Sequence, residues 1–337
     1  MNMTSKKPLV SVCIAAYNTE RYIRETILSV LAQTYANFEL IVIDDGSTDA
    51  TIAVVSDFED SRIKCYQNDV NQGVGYTRGR YLDLAQGKYL AVVDADDIWL
   101  PTKLEQQVDY LESNPDYIGC GCWGSRFYAD GREELWAYPP SDSEVRYRLL
   151  WGSSVIHSSL IFNLTIARRH GCDYDASMQQ AEDYDLLRQL VRVGEFANLN
   201  EVLVRYRMHE NQLTETGKAV QVTNSYQIGL KYLRDLGIDL SGAQGGAYEE
   251  VYRYRYDLGI AGLLDFSRMI SACSDKMPFA RDLLDRKLAA VCGASVRNGF
   301  EVVQIYVRYS QVATFSRLCR TSRIFLKFVY LKLPFKD

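Results

Sequence analysis

Apolar and polar positions come in alternating blocks along the first part of the chain. Continuous apolar runs at residues 9–15, 38–43 and 88–93, with a shorter one at 62–66, read as strands buried on both faces. Between them, Ile23, Ile27, Val30 and Leu31 recur at helical spacing and predict a helix over 20–33. Asn18 or Thr19 supplies its cap. Further helices are predicted after Asp49 through about residue 57, over 71–85 with Gly87 as its C-cap, and over 101–111 with Pro101 near its start. Strands and helices alternating in this way predict an α/β fold: a Rossmann-like, mostly parallel central sheet flanked by helices. Ligands of such sheets bind outside the carboxyl ends of the strands.

The pattern changes beyond residue 116. Short strands over 117–136 with a turn at Ala129-Asp130-Gly131-Arg132 suggest a hairpin, followed by a helix over 143–151 and a strand over 157–162. An amphipathic helix over 182–193 and a closing strand over 202–208 follow. After residue 216 only helical spacing remains: 220–236, 247–269, 277–291 and 300 onward, punctuated by Gly237, Gly242, Gly245-Gly246 and Pro278. The chain thus divides into an α/β domain over 1–216 and a C-terminal helical extension over 217–337.

At 337 residues, 47% hydrophobic and 24% charged, the composition is that of a soluble globular protein of one or two domains. A net charge of −5 excludes a nucleic-acid binder over the whole chain. The charge is uneven, with seven basic residues against two acids over 301–337. There Arg317, Arg320, Arg323 and Lys327 are interleaved with Leu318, Ile324, Phe325 and Leu326. Such a segment, 317–337, suits an anionic membrane surface, or equally a packed terminal helix with a basic outer face. The helices after 216 are candidates for wrapping the α/β domain, for a homodimer contact or for receiving a substrate. Eight cysteines include no CxxC pair, which fits reduced thiols. There is no signal-like apolar segment and no apolar run of about 18 residues, so the expected location is cytoplasmic, with peripheral attachment to the inner face of the membrane.

The candidate chemistry sits at three strand ends: Ala16-Tyr17-Asn18, Asp44-Asp45 and Asp94-Ala95-Asp96-Asp97. The topology brings all three to one sheet edge. Three carboxylates in four residues are either a solvated turn or a site for a hard cation, Mn2+ or Mg2+, that shares its remaining positions with phosphates. Asp45 is either a helix cap or an acceptor for a uracil imide N–H, and Tyr17 either packs or stacks on a base. Glu182-Asp183-Tyr184-Asp185 opens a helix, where charge–dipole stabilisation competes with a role for Asp183 as a general base. Of three histidines, His209 follows a strand and is either a metal ligand or a surface residue, and His170 belongs to a helix end. The stretch Gly73-Val74-Gly75-Tyr76-Thr77-Arg78-Gly79 does not satisfy the dinucleotide fingerprint, no Walker A sequence is present, and no GxSxG motif marks a nucleophile.

Taken in order, Val10-Ser11-Val12-Cys13-Ile14-Ala15-Ala16-Tyr17-Asn18, Asp44-Asp45-Gly46-Ser47-Thr48-Asp49, Asn71-Gln72-Gly73 with Arg78, Asp94-Ala95-Asp96-Asp97 and Glu182-Asp183-Tyr184-Asp185 resemble the family 2 glycosyltransferases of the GT-A fold, over about residues 8–212. The resemblance implies inverting transfer from a UDP-sugar, assisted by Mn2+ or Mg2+, to a glycan or lipid-linked saccharide. It implies that Ala15, Tyr17, Asp45 and Arg78 hold the nucleotide, with Asp94 toward the ribose. It assigns Asp96 and His209 to the metal and Asp183 to the catalytic base. His157 and Glu182 fall on the acceptor side, and Asp97 is left as the start of the next helix. Gly79 stands where the family usually has Asn, Leu187 where it often has Trp, and the QxxRW motif of processive synthases is absent, which implies single additions. A nucleotidyltransferase and a non-catalytic nucleotide-sugar-binding protein are the alternatives.

Overall fold

A computed structural model describes residues 7–209, 217–253, 255, 258 and 260–294. The chain forms two compact units, Met1–Ile228 and Gly229–Asp337. The helix Lys218–Asp235 includes residues of both.

The first unit is built on a nine-stranded sheet. Its elements are β1 (Val10–Ala16), α1 (Ile23–Leu31), β2 (Phe38–Asp44), α2 (Thr51–Ser56), β3 (Ile63–Gln67), α3 (Val74–Leu84), β4 (Tyr89–Val92), β5 (Ile98–Trp99), α4 (Lys103–Ser113), β6 (Tyr117–Tyr128), β7 (Glu133–Trp136), α5 (Asp142–Arg148), β8 (Ile161–Asn163), α6 (Leu164–Arg169), α7 (Glu182–Leu190) and β9 (Glu195–Met208). The strand order is β3-β2-β1-β4-β8-β6-β9-β5, with β7 on β6. The first four strands are parallel, as the alternating pattern requires. Beyond β4 only β6 and β9 run parallel, so the whole sheet is mixed.

Every residue of β2 is buried, and all but Ala15 of β1. Helices cover both faces, which explains why these strands are continuously apolar. Helix α1 seats Ile23, Ile27 and Val30 on the sheet. Register pairs Ala16 with Asp44, and the Val93 amide donates to the Cys13 carbonyl. The polar residues after these strands therefore emerge at one edge.

Several local expectations are corrected. Helix α1 begins at Ile23, because the chain first turns through Asn18 at φ 51°. Gly87 is not a C-cap, since α3 ends at Ala85 in an extended conformation. Gly87 instead permits a close approach: a Cβ there would lie 2.6 Å from the Ser11 nitrogen and 2.7 Å from the Leu9 oxygen. His157–Ser159 forms a 3-10 turn, and the strand starts only at Ile161. In the second unit, the single helix expected over 247–269 is two, Gly242–Tyr252 and Ile260–Lys276. Gly245 and Gly246 lie inside the first of these; the Ser241–Gln244 capping box helps offset their low helix propensity. The second unit buries Tyr248, Phe266, Met269, Cys273 and Leu284. The segments at 300 onward and 317–337 lie outside the described residues. Among the described residues no helix is long and apolar enough to cross a membrane.

Candidate active site

The first two strand tips are stitched together by short polar residues. The Asn18 amide donates to Ser47 Oγ (2.9 Å), and Asn18 Oδ1 accepts from the Thr48 amide (2.9 Å). The Thr19 amide donates to Thr51 Oγ1 (2.8 Å), and Glu20 exchanges backbone–carboxylate bonds with Ala50 and Asp49. Asn tolerates the left-handed conformation that this turn demands. Tyr17 is left 45% exposed, free to offer a ring face, and Ala15 is only partly covered.

Asp45 is buried and organises the neighbouring loop. Its Oδ1 accepts from Asn68 Nδ2 (2.6 Å) and the Gln72 amide (2.9 Å), and its Oδ2 from the Gly73 amide (2.9 Å). Gly73, at φ 90°, then starts α3. A carboxylate offers about four acceptor positions. Three are filled by the protein, which by count leaves one on Oδ2. Asp45 caps neither α2 nor α3, whose N-caps are Ala50 and Gly73; it fixes the loop between β3 and α3 instead. We expect Asp45→Asn to place an N–H against the Gly73 amide and cost about 1–3 kcal/mol. A lowered melting temperature with weaker UDP binding in a calorimetric titration is the expected pair of results.

Arg78 on α3 joins the third tip to α7. Its Nη2 donates to Asp94 Oδ1 (2.6 Å) and its Nη1 to Glu182 Oε1. Burial alone would lower the Arg78 pKa, but Asp94 and then Glu182 hold it well above the ordinary value. Glu182 is 2% exposed on its side chain and faces this guanidinium, so it is a positioning residue for Arg78 and not an open acceptor-side group. His157 also meets Asp94, with Nδ1 3.1 Å from Oδ1, while its Nε2 lies 3.0 Å from the Tyr174 hydroxyl. Burial works to raise the Asp94 pKa; Arg78 and His157 outweigh it and hold the carboxyl below its usual range. The next residue after Glu182, Asp183, is half-buried and moves the other way. Burial, with Glu182 adding, pushes its pKa up against the opposing charges of His157 and Arg78. A carboxylate raised toward neutrality is suited to take a proton.

The remaining acids of the tip divide. Asp96 Oδ2 meets His209 Nε2 at 2.8 Å, and the Asp96 carbonyl accepts from Arg207 Nε (2.8 Å). The His209 ring stacks near Tyr22, with centroids 4.9 Å apart. Asp97 does not start a helix, since α4 begins at Lys103. It is fully buried and accepts from Ser158 Oγ and the Arg207 amide (2.9 Å), clamping the tip to β9. Asp96 and His209 form a two-group donor set, and no cluster of three such groups occurs among the described residues. Two protein donors can hold a hard cation only if a diphosphate and water supply its other ligands. Tyr174, Ser158 and Arg207 escaped the sequence reading. Of these only Arg207 had a signal, its place two residues before His209.

The model of the glycosyl transferase family 2 matches residues 11–171. An uncharacterised glycosyltransferase of Haemophilus influenzae is 35% identical over 268 residues, which is 73% of this chain and 80% of the relative. The Escherichia coli enzyme WfaP, a UDP-Glc:alpha-D-GlcNAc-diphosphoundecaprenol beta-1,3-glucosyltransferase, is 32% identical over 61% of this chain and 80% of its own. Among solved structures, Staphylococcus aureus TarS 1-349 in complex with UDP-GlcNAc superposes with a TM-score of 0.58 at 17% identity, covering 91% of this chain and 93% of that one. The strand-tip motifs, the sheet and these matches agree: the chain belongs to glycosyl transferase family 2 and is a transferase of the GT-A fold.

Proposed function

We propose that the protein transfers one sugar at a time from a UDP-sugar to a hydroxyl of a glycan or lipid-linked saccharide, with inversion at the anomeric carbon, in polysaccharide or glycolipid synthesis. The observation that carries this reading is the Arg78 bridge: one guanidinium links Asp94, at the donor strand tip, to Glu182, beside the raised carboxyl of Asp183. This bridge supports a reading in which donor and base share one crevice. The activity of WfaP, and that of the Bacillus subtilis relative TuaG, a putative teichuronic acid biosynthesis glycosyltransferase, supports the substrate class.

In this mechanism Tyr17 stacks on the base, and the remaining Oδ2 position of Asp45 accepts its imide N–H. Asp183 removes the proton of the acceptor hydroxyl as that oxygen attacks the anomeric carbon from the face opposite the diphosphate. The bond to the diphosphate breaks and UDP leaves. Arg78, held by Glu182, carries positive charge beside the departing group. Asp96 and His209 would hold a divalent cation, which when bound neutralises charge on the diphosphate. Orienting the two substrates together supplies much of the acceleration.

A panel of UDP-sugars assayed for UDP release, with and without Mn2+, tests the reading. Release from at least one donor is expected, and none from any donor counts against it. For the cation, Asp96→Ala is expected to weaken Mn2+-dependent UDP binding at least about tenfold, the loss of a charge-assisted contact. Calorimetry showing unchanged Mn2+-dependent affinity would remove Asp96 from that role.

A further inference from the structure

Outside the crevice just described, the hairpin of β6 and β7 carries a cluster of aromatic rings and guanidinium groups that the reaction scheme leaves unused. Trp136 lies edge-on to Tyr206 (centroids 4.9 Å apart, 84° between planes) and 5.8 Å from Tyr138. The Arg126 guanidinium sits over the Trp136 ring at 4.3 Å, and that of Arg148 over Tyr138 at 4.7 Å. Register places this shelf. Trp136 pairs with Gly124, a position already covered by another part of the chain. A Cβ at Gly124 would lie 2.8 Å from Ile156 Cδ1, so Ile156 borders the same surface.

Two features argue for an anionic, sugar-bearing occupant. Among the described residues, neither Arg126 nor Arg148 has a carboxylate partner; Arg148 Nε donates only to the Ser153 carbonyl (3.2 Å). Their neighbours Arg132, Arg146 and Arg205 are each paired with Asp or Glu. The position fits as well. Ile156 precedes His157, which meets Asp94, and Arg148 precedes Leu149, whose carbonyl accepts from the hydroxyl of Tyr184, next to Asp183.

We propose that this shelf is the acceptor subsite: the faces of Trp136, Tyr138 and Tyr206 take a sugar ring of the acceptor, and Arg126 and Arg148 take a diphosphate attached to it. Aromatic faces pack against the C–H faces of sugars, and guanidinium groups bind phosphate oxygens bidentately. The proposal rests on the reading that the chain glycosylates a saccharide acceptor.

Calorimetric titration with two probes tests it: decyl-diphospho-N-acetylglucosamine, and decyl N-acetylglucosaminide without the diphosphate. Wild type is expected to bind the first at least about tenfold more tightly, from two charge-assisted contacts. In Arg126→Gln/Arg148→Gln that preference should shrink to about twofold or less, and Trp136→Ala should weaken both probes about tenfold. UDP titration reports the donor side and the fold of each variant, and should stay near wild type. Equal affinity of wild type for the two probes, binding of neither, or a preference retained in the double variant would overturn the subsite. A wild-type protein that fails to bind UDP would sink the donor reading instead, and the probe contrast would still decide the shelf.

Discussion

Asp183→Asn is expected to lower the transfer rate by at least about 100-fold, the usual contribution of a positioned general base, while UDP affinity stays within about twofold. The asparagine keeps the size of the side chain and removes the proton acceptor. Two further readouts separate this role from a structural one. First, the wild-type rate should rise with pH along a limb above the ordinary carboxylate range, because burial and Glu182 push the Asp183 pKa up. The variant's residual rate should lack that limb. Second, the variant should melt at the same temperature as wild type or higher. A carboxyl whose pKa rises on folding favours the folded state only while protonated. That contribution is lost as pH climbs from the unfolded pKa through the folded one. Above the folded pKa the ionised Asp183 therefore costs stability that asparagine does not. Loss of UDP binding together with transfer, or transfer that survives, would remove Asp183 from the role.

Arg78→Met is expected to have the largest effect on stability. It leaves Glu182 and Asp94 facing each other across a site where the side chain of Arg78 is 12% exposed and that of Glu182 is 2% exposed. Breaking a buried pair by removing one partner costs about 3–5 kcal/mol, or roughly 10 °C in melting temperature for a unit of this size. UDP binding should fall with it, since Asp94 loses the charge that holds its carboxyl ionised. Arg78→Met/Glu182→Gln should regain at least about half of the lost stability, because the neutral amide tolerates burial where a carboxylate does not. Thermal melts of the two variants against wild type make the comparison. A single variant that melts within about 2 °C of wild type would show that the bridge does not hold this site together.

The parallel core and the convergence of its strand tips were legible because burial on both faces writes itself as continuous apolar runs, and the polar residues that end them stand out. Asp45, Asp94 and Asp96 were visible for that reason, and Asp183 as part of an acidic run that opens a helix. The division of labour among them was not. Asp97 looks like Asp96 in sequence, and only the Arg207 amide, 110 positions away, makes it a clamp. His209 meets Asp96 across 113 positions, and Glu182 meets Arg78 across 104. Tyr174 and Ser158 lie in irregular segments with no periodicity to mark them. Glycine misled in a different way. Gly87 reads as a helix C-cap, whereas it is there because another part of the chain comes too close for a Cβ.

The central claim, a single displacement driven by the base on α7, is tested most directly by the stereochemistry of its simplest turnover. UDP-α-D-glucose and UDP-α-D-N-acetylglucosamine, incubated with the protein and water as acceptor, release free sugar whose first-formed anomer proton NMR resolves before mutarotation. The account predicts that the β-anomer appears first and that Asp183→Asn abolishes its formation. Initial release of the α-anomer would contradict it.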